Sequence, residues 1–150
     1  KIITFARQMS MIRVYGAFIE AKLPDGTPLV AKFSAELASY GIPVVFMVML
    51  IPLISGLATG IGAGYVGASF PIVLRLLGVD PSFSTLLSTL VLAQGFGMTG
   101  MLLSPVHVCL LVSNEYFGTK LGPTLAKLVK PAMIIISSAI LFHFIYPLLF

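Results

Sequence analysis

The amino-acid sequence predicts an all-α integral membrane protein built of broken transmembrane helices and re-entrant hairpins, and three observations lead there. Apolar residues make up 58% of the 150 residues and charged residues only 9%, with a mean hydropathy of +1.07. A water-soluble domain carries about 25% charged residues, so the polar surface of this chain is too small to cover a core in water. A bilayer is the solvent that fits. Next, no Asp, Glu, Lys or Arg occurs across residues 37–74, 81–114 or 131–150. A spanning helix needs about 20 apolar residues. The last interval fits one span; the first two are too long for one straight helix and short for two spans with a loop, which predicts broken helices or hairpins within the membrane. Finally, two glycine-rich runs, residues 55–67 and 94–100, fall inside those two long intervals.

Taken in order, residues 1–21 read as a moderately amphipathic helix in which Gln8, Arg13 and Glu20 interrupt an apolar surface. Leu23-Pro24-Asp25-Gly26-Thr27-Pro28 is a turn, because Pro fixes φ and Asp-Gly favours a tight reversal. Residues 29–40 suggest a short surface helix ending at Gly41, so that residues 1–40 form an interfacial region. The membrane core is expected over residues 41–113. Pro43, Pro71, Pro81, Pro105 and Pro131 can each open a helix, since the amide that Pro lacks has no partner in a first turn. Asp80 and Ser104 stand before two of them as N-caps, whereas Pro52 lies within an apolar run and should kink its helix. These signals predict helices over 43–58, 65–77 and 81–94, breaks over 59–64 and 95–100, a turn at 78–80 and a half-helix at 104–113. A basic loop or surface helix over 114–130 and a terminal span over 131–150 complete the pattern. The stretch from Glu115 to Lys130 has a net charge of +2, which places it on the cytoplasmic side and residue 150 outside. The chain starts at Lys1 rather than Met and is read as a fragment of something larger, with processing as the other reading.

The basic excess of nine over five is too small and dispersed for nucleic acid. Its lysines and arginines suit the headgroup layer of the lipid bilayer, the first expected partner. Cys109 is the sole cysteine, which excludes an internal disulfide and a multi-cysteine metal centre. No metal site, cofactor fingerprint or hydrolase motif is present, and no enzymatic activity is predicted. An intramembrane enzyme would need an activated Ser104 or Cys109, and the spacing supplies no base.

Candidate binding groups are the polar and glycine residues at the breaks: Ser55, Thr59, Gly60, Gly62 and Gly64 in the first, Gln94 and Thr99 in the second, then Ser104 and His107. Each hydroxyl alone tends to bond back to its own helix, and each glycine alone can serve close packing. Clustered at interruptions, they can instead offer unwound carbonyls to a cation and helix N-termini to an anion. His107 is either a neutral ring bonded to a backbone carbonyl or a proton-carrying, substrate-contacting group, because an ionisable residue at membrane depth is a functional candidate. Glu115 is either an interfacial anchor or a carboxylate in the pathway. His107 and Glu115 are the two candidates for coupling. His143 reads as a packing residue.

Several phrases resemble the C-terminal part of an integral-membrane permease family of the ion transporter superfamily, alongside arsenite, sodium/proton and citrate or dicarboxylate permeases. They are Gly41-Ile42-Pro43, Pro52-Leu53-Ile54-Ser55-Gly56-Leu57-Ala58-Thr59-Gly60, Val66-Gly67-Ala68-Ser69-Phe70-Pro71, Leu103-Ser104-Pro105-Val106-His107-Val108-Cys109-Leu110 and Glu115-Tyr116-Phe117. The resemblance implies one half of an inverted-repeat secondary transporter, multi-pass in a prokaryotic inner or plasma membrane, with transport elements at residues 55–64 and 104–107. It implies a small anion or ion as solute, coupling to H+ or Na+, and the remaining half or a second copy as partner. The alternative is a structural or assembly subunit of a membrane complex, whose glycines serve only helix packing.

Overall fold

A computed structural model describes residues 43–78 and 80–149, and every regular element among them is an α-helix. The helices are α1 (Val44–Thr59), α2 (Gly62–Leu76), α3 (Phe83–Leu103), α4 (Val108–Tyr116) and α5 (Leu121–Leu149). The elements expected over residues 1–40 lie outside the described residues. Two stretches, Phe83–Tyr116 and Leu121–Leu149, are long and apolar enough to cross a membrane.

Helix α1 stops because Gly60 takes a left-handed conformation (φ 61°) that residues with a Cβ rarely adopt, and its amide bonds the Gly56 carbonyl at 2.9 Å. Ile61 is extended, and α2 begins at the next residue. The break expected over 59–64 is therefore two residues long, and Gly62 and Gly64 belong to the first turn of α2. Val48 and Val73, nearly equidistant from the break, share a core with Leu92 and Ala93 of α3 and Ala139 of α5. Helices α1 and α2 thus fold back on each other as a tight antiparallel hairpin. At the turn expected over 78–80, Gly78 has φ 90° and Asp80 lies in a bend. The cap differs: Ser82, not Asp80, accepts the Thr85 amide at 3.3 Å and meets the Thr85 hydroxyl at 2.8 Å.

Helix α3 is central, packing on α1, α2 and α5. It runs unbroken through residues 95–100, which corrects the second expected break. These glycines cost the helix about 1 kcal/mol each relative to Ala, and contacts across the bundle explain them. A Cβ on Gly97 would lie 2.5 Å from the Tyr65 ring and 3.2 Å from Pro52, one on Gly95 would lie 2.5 Å from the Ala139 methyl, and one on Gly100 would occupy the place of the Leu53 carbonyl. Gly56 of α1 fits the same seam from the other side, against the Gly97 carbonyl and the Met101 amide. This backbone-to-backbone seam holds α1 parallel to α3.

The proline positions and the boundary at residue 131 differ from expectation. Pro71 and Pro131 lie inside α2 and α5 rather than opening helices, as Pro52 lies inside α1. The basic stretch over 114–130 is mostly helix: α4 ends at Tyr116 and α5 begins at Leu121, continuing through Pro131 to Leu149 as one element. Between them Gly118 (φ 63°) closes α4, with the Gly118 amide on the Glu115 carbonyl at 3.3 Å and the Thr119 amide on the Asn114 carbonyl at 2.9 Å. That pair of bonds is a Schellman ending, which satisfies the last carbonyls of α4 and aims the chain into α5.

Candidate functional site

The tip of the α1–α2 hairpin touches the turn between α3 and α4. A Cβ on Gly60 would lie 2.8 Å from the Val106 carbonyl carbon and 2.9 Å from the His107 amide nitrogen, so only glycine allows this approach. Ser104, fully buried, crosses the same gap: its hydroxyl donates to the Leu57 carbonyl at 2.7 Å and accepts the Val106 amide at 3.3 Å. Ser104 was expected to cap a helix starting at residue 104. Instead it closes α3, and α4 starts only at Val108, with His107 in the N-cap position.

His107 Nδ1 lies 3.0 Å from the Met101 carbonyl. A carbonyl only accepts, so Nδ1 carries the proton, and in the neutral ring Nε2 is left as an acceptor. The Thr59 hydroxyl lies 2.8 Å from the Ser55 carbonyl and 3.3 Å from the Ile61 carbonyl, and Gly64 is small because a Cβ there would press on the Thr59 side chain. Gly62 has room, with only Met101 Sδ in ordinary contact at 3.8 Å. Two helix N-termini, those of α2 and α4, begin at this junction, and neither has a side-chain cap.

Residues 11–147 match the family described as "Protein of unknown function (DUF401)". The chain belongs to the DUF401 family. No curated protein and no solved structure matches it.

The DUF401 junction gathers Thr59, Gly60, Gly62, Ser104 and His107, with Ser55 and Gly64 one turn away along their helices. The other candidates are elsewhere. Gln94 is exposed on α3, ten residues before Ser104 or about 15 Å along the axis, and its side chain interacts with the buried Tyr65 hydroxyl. Thr99 is 1% exposed within α3, and its hydroxyl has no partner among the described residues. Glu115 is exposed in the last turn of α4, about 12 Å along that helix from His107, so the two coupling candidates do not meet. The carbonyls of Leu57 and Met101 and the close-packed Gly56 and Gly100 are junction groups that the sequence reading did not select. The only signal for them is small-residue spacing, Gly56 with Gly60 and Gly97 with Gly100.

Ser104→Ala would leave both the Leu57 carbonyl and the Val106 amide without this partner in a buried place. A loss of about 1–3 kcal/mol is expected, read as a lower unfolding midpoint of the purified protein. An unchanged midpoint would show that Ser104 does not tie the two turns together.

Proposed function

We propose that this DUF401 chain is one half of a secondary transporter, inserted in the cell membrane with more than one crossing, that moves a small anion or other ion coupled to H+ or Na+. The contact between the hairpin tip at Gly60 and the turn at Ser104–His107 carries this reading. Helical backbone interrupted inside an apolar chain is tolerated where protein buries it or where it lines a cavity, and transporters build midplane sites from such discontinuous helices. Helices α1 and α2, of 16 and 15 residues, are about 24 and 22 Å long. Both fall short of a hydrocarbon layer of about 30 Å, the proportions of a re-entrant hairpin. The uncapped N-termini of α2 and α4 each carry roughly half a positive charge, which favours an anionic solute. The outer surface supports a bilayer setting: Phe83 is 74% exposed, Ile134 69% and Leu148 85%, a surface that would drive association in water.

One observation favours the other reading, a structural or assembly subunit. The Thr59 and Ser104 hydroxyls and the His107 ring all have backbone partners, and seam contacts account for Gly56, Gly97 and Gly100. Flux separates the two. The full chain in liposomes with an entrapped pH-sensitive dye is presented with inorganic oxyanions and di- and tricarboxylates, with and without sodium. Transport predicts that at least one of them moves protons or sodium faster than in protein-free liposomes; no flux from any would overturn the proposal. With an active solute in hand, His107→Gln is expected to abolish the dependence of uptake on the proton gradient while solute binding persists. Wild-type gradient dependence in that variant would remove His107 from coupling.

A further inference from the structure

The start of α5 carries a second polar feature, separate from the junction. A cavity of about 230 Å³ is lined by Thr119, Lys120, Pro123, Thr124 and Lys127. Lys120, Thr124 and Lys127 fall at i, i+4 and i+7, one face of the helix. The first amides of α5 open toward the same end, where the helix dipole favours negative charge.

Behind the cavity sits Asn114, 7% exposed, whose Oδ1 lies 2.6 Å from the Thr119 hydroxyl and 2.9 Å from that of Thr124. Its buried Nδ2 has no partner among the described residues. The Thr124 hydroxyl also lies 3.0 Å from the Lys120 carbonyl, and one proton cannot serve two acceptors. An anionic oxygen in the cavity gives these groups one consistent arrangement. It accepts the Thr119 proton, the carboxamide turns Nδ2 toward the two hydroxyl oxygens, the Thr124 proton goes to the Lys120 carbonyl, and Oδ1 takes the partnerless place, where an unmet acceptor is tolerated better than an unmet donor.

Helix length says where such an oxygen comes from. The 29 residues of α5 span about 43 Å, against a hydrocarbon layer of about 30 Å, leaving about 13 Å, or roughly nine residues, outside it. The stretch from Pro131 onward is uncharged, so the part left outside is the first part of α5, about two and a half turns, which bears Lys127 and directly follows Lys120. We infer that this cavity binds the phosphate of an anionic lipid headgroup. The inference rests on membrane insertion and is independent of transport.

The test is native mass spectrometry of the purified full chain with phosphatidylglycerol or phosphatidylcholine of the same acyl chains, with inorganic phosphate as competitor. Phosphatidylglycerol is expected to be retained preferentially. Lys120→Gln and Lys127→Gln should each weaken its binding about fivefold, and Thr119→Val should weaken it with no change in charge. Lys130→Gln, on the same helix but outside the cavity, should have less effect than either. Equal retention of the two lipids, or an effect of Lys130→Gln matching that of Lys127→Gln, would overturn the site. Displacement of phosphatidylglycerol by an equal concentration of inorganic phosphate would overturn the lipid as occupant. None of these readings depends on flux, so the proposal stands or falls apart from transport.

Discussion

Gly100→Val is expected to leave little folded protein. Its Cβ would fall on the Leu53 carbonyl oxygen and 3.0 Å from the Leu57 amide nitrogen, while Gly56 meets the Met101 amide from the opposite helix, with a Cβ distance of 2.8 Å. Backbone cannot swing away as a side chain does, so relief requires α1 to part from α3 along the whole seam. Overpacking of ordinary cores costs about 1–3 kcal/mol, and this site belongs at or above the top of that range. A domain has only about 5–15 kcal/mol in total. Gly122→Ala provides the contrast: no described residue lies within 4 Å of its Cβ position and it sits in the first turn of α5, so a gain of up to about 1 kcal/mol is expected. Unfolding midpoints in detergent, followed by helical circular dichroism, measure both. A Gly100→Val protein that melts with the wild type would show that the seam is not held as described.

The second large effect is at the hairpin tip, where two neighbouring glycines are expected to behave differently. Gly60→Ala must hold a side chain at φ 61°, costing about 1–2 kcal/mol. It must also push back the Val106–His107 backbone. It should lose stability and flux together. Gly62 has neither constraint, so Gly62→Leu should fold with a midpoint within about 1 kcal/mol of the wild type. Yet it projects a butyl group from the first turn of α2 beside the junction, and most of the flux should disappear. If Gly62 were only a packing residue, stability would fall first and flux per folded molecule would be unchanged.

Much of the helical layout was legible in local chemistry. The break at Gly60 and the turn at Gly78 were found because a positive φ leaves a mark in composition. The run from Gly95 to Gly100 looked the same and is not a break. Whether such glycines unwind a helix or admit a neighbour depends on what lies across from them, here the Leu53 carbonyl and the Tyr65 ring, and those groups are 32 to 47 positions away in sequence. Ser104 was given the wrong direction. Ser-Pro announces an N-cap, but the side chain reaches back across the bundle to Leu57. Pro131 failed as a boundary because the missing amide costs one helical bond, while the helical residues on either side of it keep the helix going. His107 and Glu115 seemed pairable by type alone, but α4 holds them about 12 Å apart along its axis.

The central claim is that the meeting of the hairpin tip with the α3–α4 turn is a solute site rather than a packing contact. Solute-driven proton or sodium flux in proteoliposomes, compared for the wild type and Gly62→Leu and normalised to folded protein, tests it most directly. The account predicts flux in the wild type and its loss in a variant whose unfolding midpoint is unchanged. Equal flux per folded molecule in the two proteins would contradict it.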